Sequence, residues 1–117
     1  MTYEILFSTR FKKSFSKLHV QEKKIFYNKL SLFIENHRHP SLRTKKIKGS
    51  EILYESSINI SIRVIWTYKN EKLILMIDIG YHDILNKLQI LNLYLLHRLK
   101  QQSFSIVPFF KPLLWGY

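Results

Sequence analysis

The chain has 117 residues and a mass of 14.2 kDa, with hydrophobic residues at 46%, aromatics at 15%, three Gly and three Pro. That length holds one compact domain with a core of its own, and the composition excludes disorder throughout. With 19 Lys and Arg against 8 Asp and Glu the net charge is +11, a field that attracts polyanions such as nucleic acid, acidic lipid or an acidic partner protein.

The chain opens with Thr-Tyr-Glu-Ile-Leu-Phe-Ser at 2–8, rich in β-formers, and the spacing predicts a strand there. Charges interleave with apolar residues up to Lys13, which is not the pattern of a signal peptide. Ser8 or Thr9 is placed to cap a following helix. Over 9–36, Phe11, Phe15 and Leu18, then Ile25, Phe26, Leu30, Leu32 and Phe33, recur at helical spacing, while lysines 12, 13, 17, 23, 24 and 29 fill the other face. The pattern predicts a helical hairpin bent near His19-Val20, ended by His37-Arg-His-Pro40 because the residue before proline is pushed out of the helical region. A basic segment follows, Arg43, Lys45, Lys46 and Lys48, closed by Gly49.

From residue 52 the texture is that of strands, at 52–57, 60–68 and 73–79, with a turn at Lys69-Asn70-Glu71 between the last two. In 60–68, alternation puts Ile60, Ile62, Val64, Trp66 and Tyr68 on one face and Ser61, Arg63 and Thr67 on the other. In 73–79 the buried set is expected to be Leu73, Leu75, Ile77 and Ile79, leaving Asp78 on the parity of His82. Arg63, Asp78 and His82 are therefore expected to share an open sheet face. Helical spacing resumes over 84–99, where Ile84, Leu88, Leu91, Leu95 and Leu99 form a stripe in need of a partner. Residues 86–117 carry four basic and no acidic residues, so the chain divides into a domain at 1–85 and a basic, apolar extension at 86–117, helical to about 99. No segment reaches the roughly 18 to 20 apolar residues of a membrane span.

Several residues could carry chemistry. Arg43, Lys45, Lys46 and Lys48 supply what phosphate binding needs, or a solvated charge run. Arg63 could hold a phosphate with two hydrogen bonds or pair with Glu55 or Asp78. His82, after Gly80, is a candidate acid or base because imidazole titrates near neutral pH, or an incidental histidine at a strand end; Asp83 is better read as a helix cap. With two aspartates, dispersed glutamates and only His37 and His39 close in sequence, a two-metal nuclease site is not expected, nor any cofactor. The absence of cysteine excludes disulfides and thiolate chemistry and fits a reducing compartment, the cytoplasm.

Strand, helical hairpin, His39-Pro-Ser-Leu-Arg-Thr-Lys-Lys-Ile-Lys-Gly49, then Leu53-Tyr-Glu55, Ser61-Ile-Arg-Val-Ile-Trp66 and Ile77-Asp-Ile-Gly-Tyr-His-Asp83 together form a pattern over residues 2–85. It resembles the RelE/ParE toxin superfamily and, within it, the RelE/YafQ-like mRNA interferases of type II toxin–antitoxin systems. The resemblance implies an α+β fold, an N-terminal helical hairpin packed on a small twisted antiparallel sheet with the active site on its concave face. It also implies metal-independent cleavage of mRNA on the ribosome and a cognate antitoxin, acidic by charge complementarity, that wraps and blocks the toxin. On that resemblance Arg63 contacts the scissile phosphate, His82 stands where members carry a catalytic arginine or histidine, and Lys45, Lys46 and Lys48 engage RNA. A gyrase poison of the ParE kind, a non-catalytic nucleic-acid-binding module and an inactive toxin relic stay open beside it.

Overall fold

The structure, a computed structural model, describes residues 3–84 and the backbone of Ser105 and Ile106. Strand β1 (Glu4–Phe7) leads through Ser8 into helix α1 (Thr9–Ser16), and Ser8 is the cap: its Oγ accepts from Phe11 N–H at 3.0 Å and donates to the Ile77 carbonyl at 2.7 Å. One hydroxyl thus satisfies an orphan helix donor and ties the helix start to the sheet. Helix α2 (Val20–Glu35) begins after His19, whose N–H donates to the Glu22 carboxylate at 2.9 Å, half of a capping box. The predicted bend lies there. A 3-10 turn (Pro40–Leu42) follows, then β2 (Lys45–Lys46), β3 (Tyr54–Ser57), β4 (Ile62–Tyr68) and β5 (Leu73–Tyr81). Ser105–Ile106 forms β6. The remainder of the 84–99 stripe and of the 86–117 extension lies outside the described residues.

The architecture is α+β, as expected: the two helices cover one face of a sheet ordered β2-β3-β4-β5-β1-β6. Its pairings are antiparallel except β1 with β5, which is parallel. The helix-side core joins Phe11, Phe15, Phe26, Leu30 and Phe33 to Ile5, Phe7, Ile62, Val64, Trp66, Ile74, Met76 and Ile79. Apolar burial on this scale, at about 1.5–3 kcal/mol per large side chain, is what holds helices to sheet. A second cluster, Leu6, Ile47, Leu53, Ile65, Leu75, Ile77 and Ile84, occupies the other face.

Three expectations change. Ile60 is 88% exposed in the loop before β4, although its parity matches the buried set, because the strand begins only at Ile62. Lys23 is buried on α2, with Nζ 5.8 Å from the Phe15 ring centre, so its cation lies over an aromatic face instead of in water. In β5, Trp66 pairs with Met76 and Ile65 with Asp78, so Ile77 is an extra residue, a β-bulge. The bulge breaks the alternation: Leu73, Leu75 and Ile77 belong with the second cluster, while Ile79 joins the helix-side core.

Candidate functional site

Register brings the candidate residues to one end of the sheet. Arg63 on β4 lies between Ser57 on β3 and Gly80 on β5. The β5 strand continues to Tyr81, and His82 stands exposed in the turn that follows, two residues beyond the partner of Arg63. His82 thus follows directly on the strand end that pairs with Ile62 and Arg63. A Cβ at Gly80 would come within 3.1 Å of Ile84 Cδ1, so the strand end and the residue after the turn are in close packing.

Arg63 is half-buried and pairs with neither predicted acid. Its Nη1 donates to the carbonyls of Asn59 at 2.9 Å, Ile60 at 3.2 Å and Ile62 at 3.2 Å, clamping the loop before its own strand. Its Nε and Nη2, the edge that grips a phosphate with parallel hydrogen bonds, have no partner among the described residues. Glu55 is buried instead against Lys45 at 3.2 Å, its register partner on β2. Asp78 is buried and bound to Arg10 Nε on α1 at 2.8 Å, with its other oxygen on Ile79 N–H at 2.8 Å. The expected trio of Arg63, Asp78 and His82 on one open face therefore does not form. The ion pair with Arg10 engages the aspartate instead.

The basic segment divides. Lys45 and Lys46 form the short edge strand β2 and Lys48 sits in the turn closed by Gly49, which takes a positive φ of 87°. All three are exposed, and lysines on an edge strand also discourage strand addition by other chains. Arg43 lies apart from them: it caps the 3-10 turn with φ 49° and lines a cleft of about 230 Å³ with Lys29 of α2, Ser41, Ser57 and Asn59. Lys29 was invisible as a site residue from the chain alone, where its spacing reads as the solvated face of a helix.

The two histidines considered as metal ligands have other roles. His37 Nε2 is 2.7 Å from Tyr68 Oη, and its ring packs edge-on against Tyr3 and Trp66. Burial, then the charge of Arg38, holds the His37 pKa below its ordinary 6.5. His39 Nδ1 binds Ser41 through both its hydroxyl and its N–H. Among the described residues no three His, Asp or Glu side chains converge as a metal site, and no helix is long and apolar enough to cross a membrane. Asp83 precedes Ile84 in the turn, and the helix it was expected to cap lies outside the described residues.

No family model and no curated protein sequence matches the chain. Solved structures do. A chain of the archaeal RelE–RelB complex from Pyrococcus horikoshii OT3 superposes with a TM-score of 0.57 at 18% identity, over 69% of this chain and 96% of that one. The intact E. coli RelBE toxin–antitoxin complex gives 0.55 at 23% identity, over 68% and 95%. YafQ from E. coli strain BL21(DE3) gives 0.55 at 17% identity, over 71% and 97%. Two N-terminal helices on a mixed sheet are thus shared along nearly the whole length of those chains, and the chain has the RelE-like toxin fold.

Proposed function

We propose that this chain is the toxin of a type II toxin–antitoxin system and an endoribonuclease that cleaves mRNA on the ribosome without a metal. The observation that carries the reading is the Nε/Nη2 edge of Arg63, without a partner among the described residues, beside Gly80, with the exposed His82 two residues further on. The fold supports it, as do similar structures solved as a RelE–RelB complex and a toxin–antitoxin complex; fold alone assigns no chemistry.

In this mechanism the 2′-hydroxyl of a nucleotide attacks its own 3′-phosphate. The O2′–P bond forms, the P–O5′ bond breaks, and the 2′-proton leaves as the 5′-oxygen gains one. Arg63 stabilises the extra charge on the phosphoryl oxygens, a role that gains from a guanidinium already fixed by three carbonyls before substrate arrives. His82 serves one of the two proton transfers. Lys45, Lys46, Lys48 and Arg43 hold the RNA backbone without reading its sequence. An acidic antitoxin matches the +11 charge.

The test is expression of residues 1–117 and of its His82→Ala variant, followed by mapping of new mRNA 5′ ends. In-frame cuts that vanish in the variant and when translation is blocked are the expected result. Growth arrest with intact mRNA and broken DNA would replace this reading with a gyrase poison, and cuts undiminished in His82→Ala would remove the histidine from the mechanism.

A further inference from the structure

The cleft between α2, the 3-10 turn and the β3–β4 loop contains two cations and no acid. Lys29 and Arg43 line it together with Ser41, Ser57 and Asn59. Neither cation has a hydrogen-bond or ion-pair partner among the described residues. Two positive charges lining one cleft without a carboxylate make it favourable to an anion.

Arg43 also departs from the ordinary backbone. At φ 49° it is the sole non-glycine residue with positive φ among those described, a conformation that glycine adopts without strain and that costs a side chain with a Cβ. Glycine would suit the cap of the 3-10 turn better, yet the position carries an arginine that lines the cleft. Strain at such a position points toward a function for the side chain.

The cleft is physically joined to Arg63. Ser57 lines the cleft and is the register partner of Arg63, and the carbonyls of Asn59 and Ile60, in the loop forming the cleft wall, are those that Arg63 Nη1 holds. Ile60, 88% exposed, adds an apolar surface at the rim. Cations, hydroxyls and an apolar rim beside a guanidinium whose Nε/Nη2 edge has no partner among the described residues suit successive units of a polynucleotide.

We propose that Lys29, Arg43 and Ser57 form a phosphate-binding cleft that seats the backbone of single-stranded RNA next to the phosphate held by Arg63. The inference deepens the nuclease reading and, for its RNA ligand, rests on it. Phosphoryl oxygens are the chemistry recognised, whether from RNA or from free phosphate.

Binding of a short fluorescent oligouridylate is measured by anisotropy across about 50 to 200 mM salt, for the full chain, a Lys29→Ala/Arg43→Gly variant and a Lys17→Ala/Lys24→Ala control of equal charge loss. Arg43→Gly removes the cation while relieving the backbone, so the melting temperature of that single variant is expected to hold or rise, and lost binding is then not lost folding. The expected result for the cleft variant is a salt slope shallower by about 1.4, two phosphate contacts at ~0.7 each, with the control at wild-type slope. Equal slopes in cleft variant and control, with inorganic phosphate leaving the Arg43 side-chain resonances unmoved, overturn the proposal. Equal slopes with those resonances shifted by phosphate in the wild type overturn the RNA assignment and make free phosphate the ligand. RNA bound through the cleft by a chain that cuts no mRNA overturns the nuclease reading and leaves the cleft standing.

Discussion

Arg10 Nε and Asp78 Oδ2 meet at 2.8 Å across 68 positions of sequence, joining the first turn of α1 to the middle of β5. The aspartate is 4% exposed and the arginine 37%, so the carboxylate depends on this one cation while the cation retains water. Removing the arginine leaves a buried charge without its partner. Arg10→Ala is expected to destabilise by about 1–3 kcal/mol, less than a fully buried pair because water reaches the arginine's side, as read from urea unfolding midpoints at unchanged slope.

Lys45 differs from Lys46 and Lys48 in the same way. Its ammonium lies 3.2 Å from the buried Glu55, whose other oxygen, Oε2, has no hydrogen-bond partner among the described residues. Lys45→Ala is expected to lower stability by about 1–2 kcal/mol, the lysine being 70% exposed, whereas Lys46→Ala and Lys48→Ala stay within about 0.5 kcal/mol. Thermal unfolding of the three variants checks this, and equal losses in all three would remove the Glu55 pair from the account.

Ser56 holds β3, β4 and the segment before β2 together. Its Oγ accepts from Trp66 Nε1 at 2.9 Å and lies 2.7 Å from Thr44 Oγ1. Ser56→Ala strands a buried indole donor and is expected to cost about 1–3 kcal/mol. Chemical denaturation followed by circular dichroism measures it, and Trp66→Phe in the Ser56→Ala background should cost less than the two separate losses added.

His37 makes stability depend on pH. Its pKa is held below 6.5 in the folded chain, first by burial and then by Arg38, so between the folded value and 6.5 the unfolded chain binds more protons. Its contribution is complete above the unfolded pKa and is lost as pH falls through the folded one. His37→Gln keeps a hydrogen-bonding group near Tyr68 and removes the titration. Unfolding midpoints compared across pH 5 to 8 should fall on the acid side for the parent chain and do so less for the variant; parallel profiles would exclude His37 as a source of the dependence.

Local chemistry carried much of this molecule. Phe11 and Phe15 lie one turn apart and share a helix face wherever that helix packs; Ile62, Val64 and Trp66 alternate because a strand has period two. Ser8 caps by proximity alone, and β1, the two helices and β3 to β5 follow from such short-range rules, whereas the 3-10 turn and β2 lie in a segment read only as basic. Arg63 was legible as lying opposite Ile62, Val64 and Trp66 by the same alternation, but its face is not the open polar one expected: Ile65 and a second apolar cluster pack there.

Tertiary structure decided what periodicity could not. A bulge at Ile77 arises only when β4 and β5 are in register, and one extra residue moves every later side chain across the sheet. The register sets Asp78 opposite Ile65, on the parity of Arg63, and it is an arginine from α1 that holds its carboxylate instead. Lys29 and Arg43 are 14 positions apart on different elements, each unremarkable in its own segment, and only the packing of α2 beside the 3-10 turn lines one cleft with both. Short-range pattern sets the helix and strand faces; the pairing of distant elements sets where those faces are buried and which charges meet.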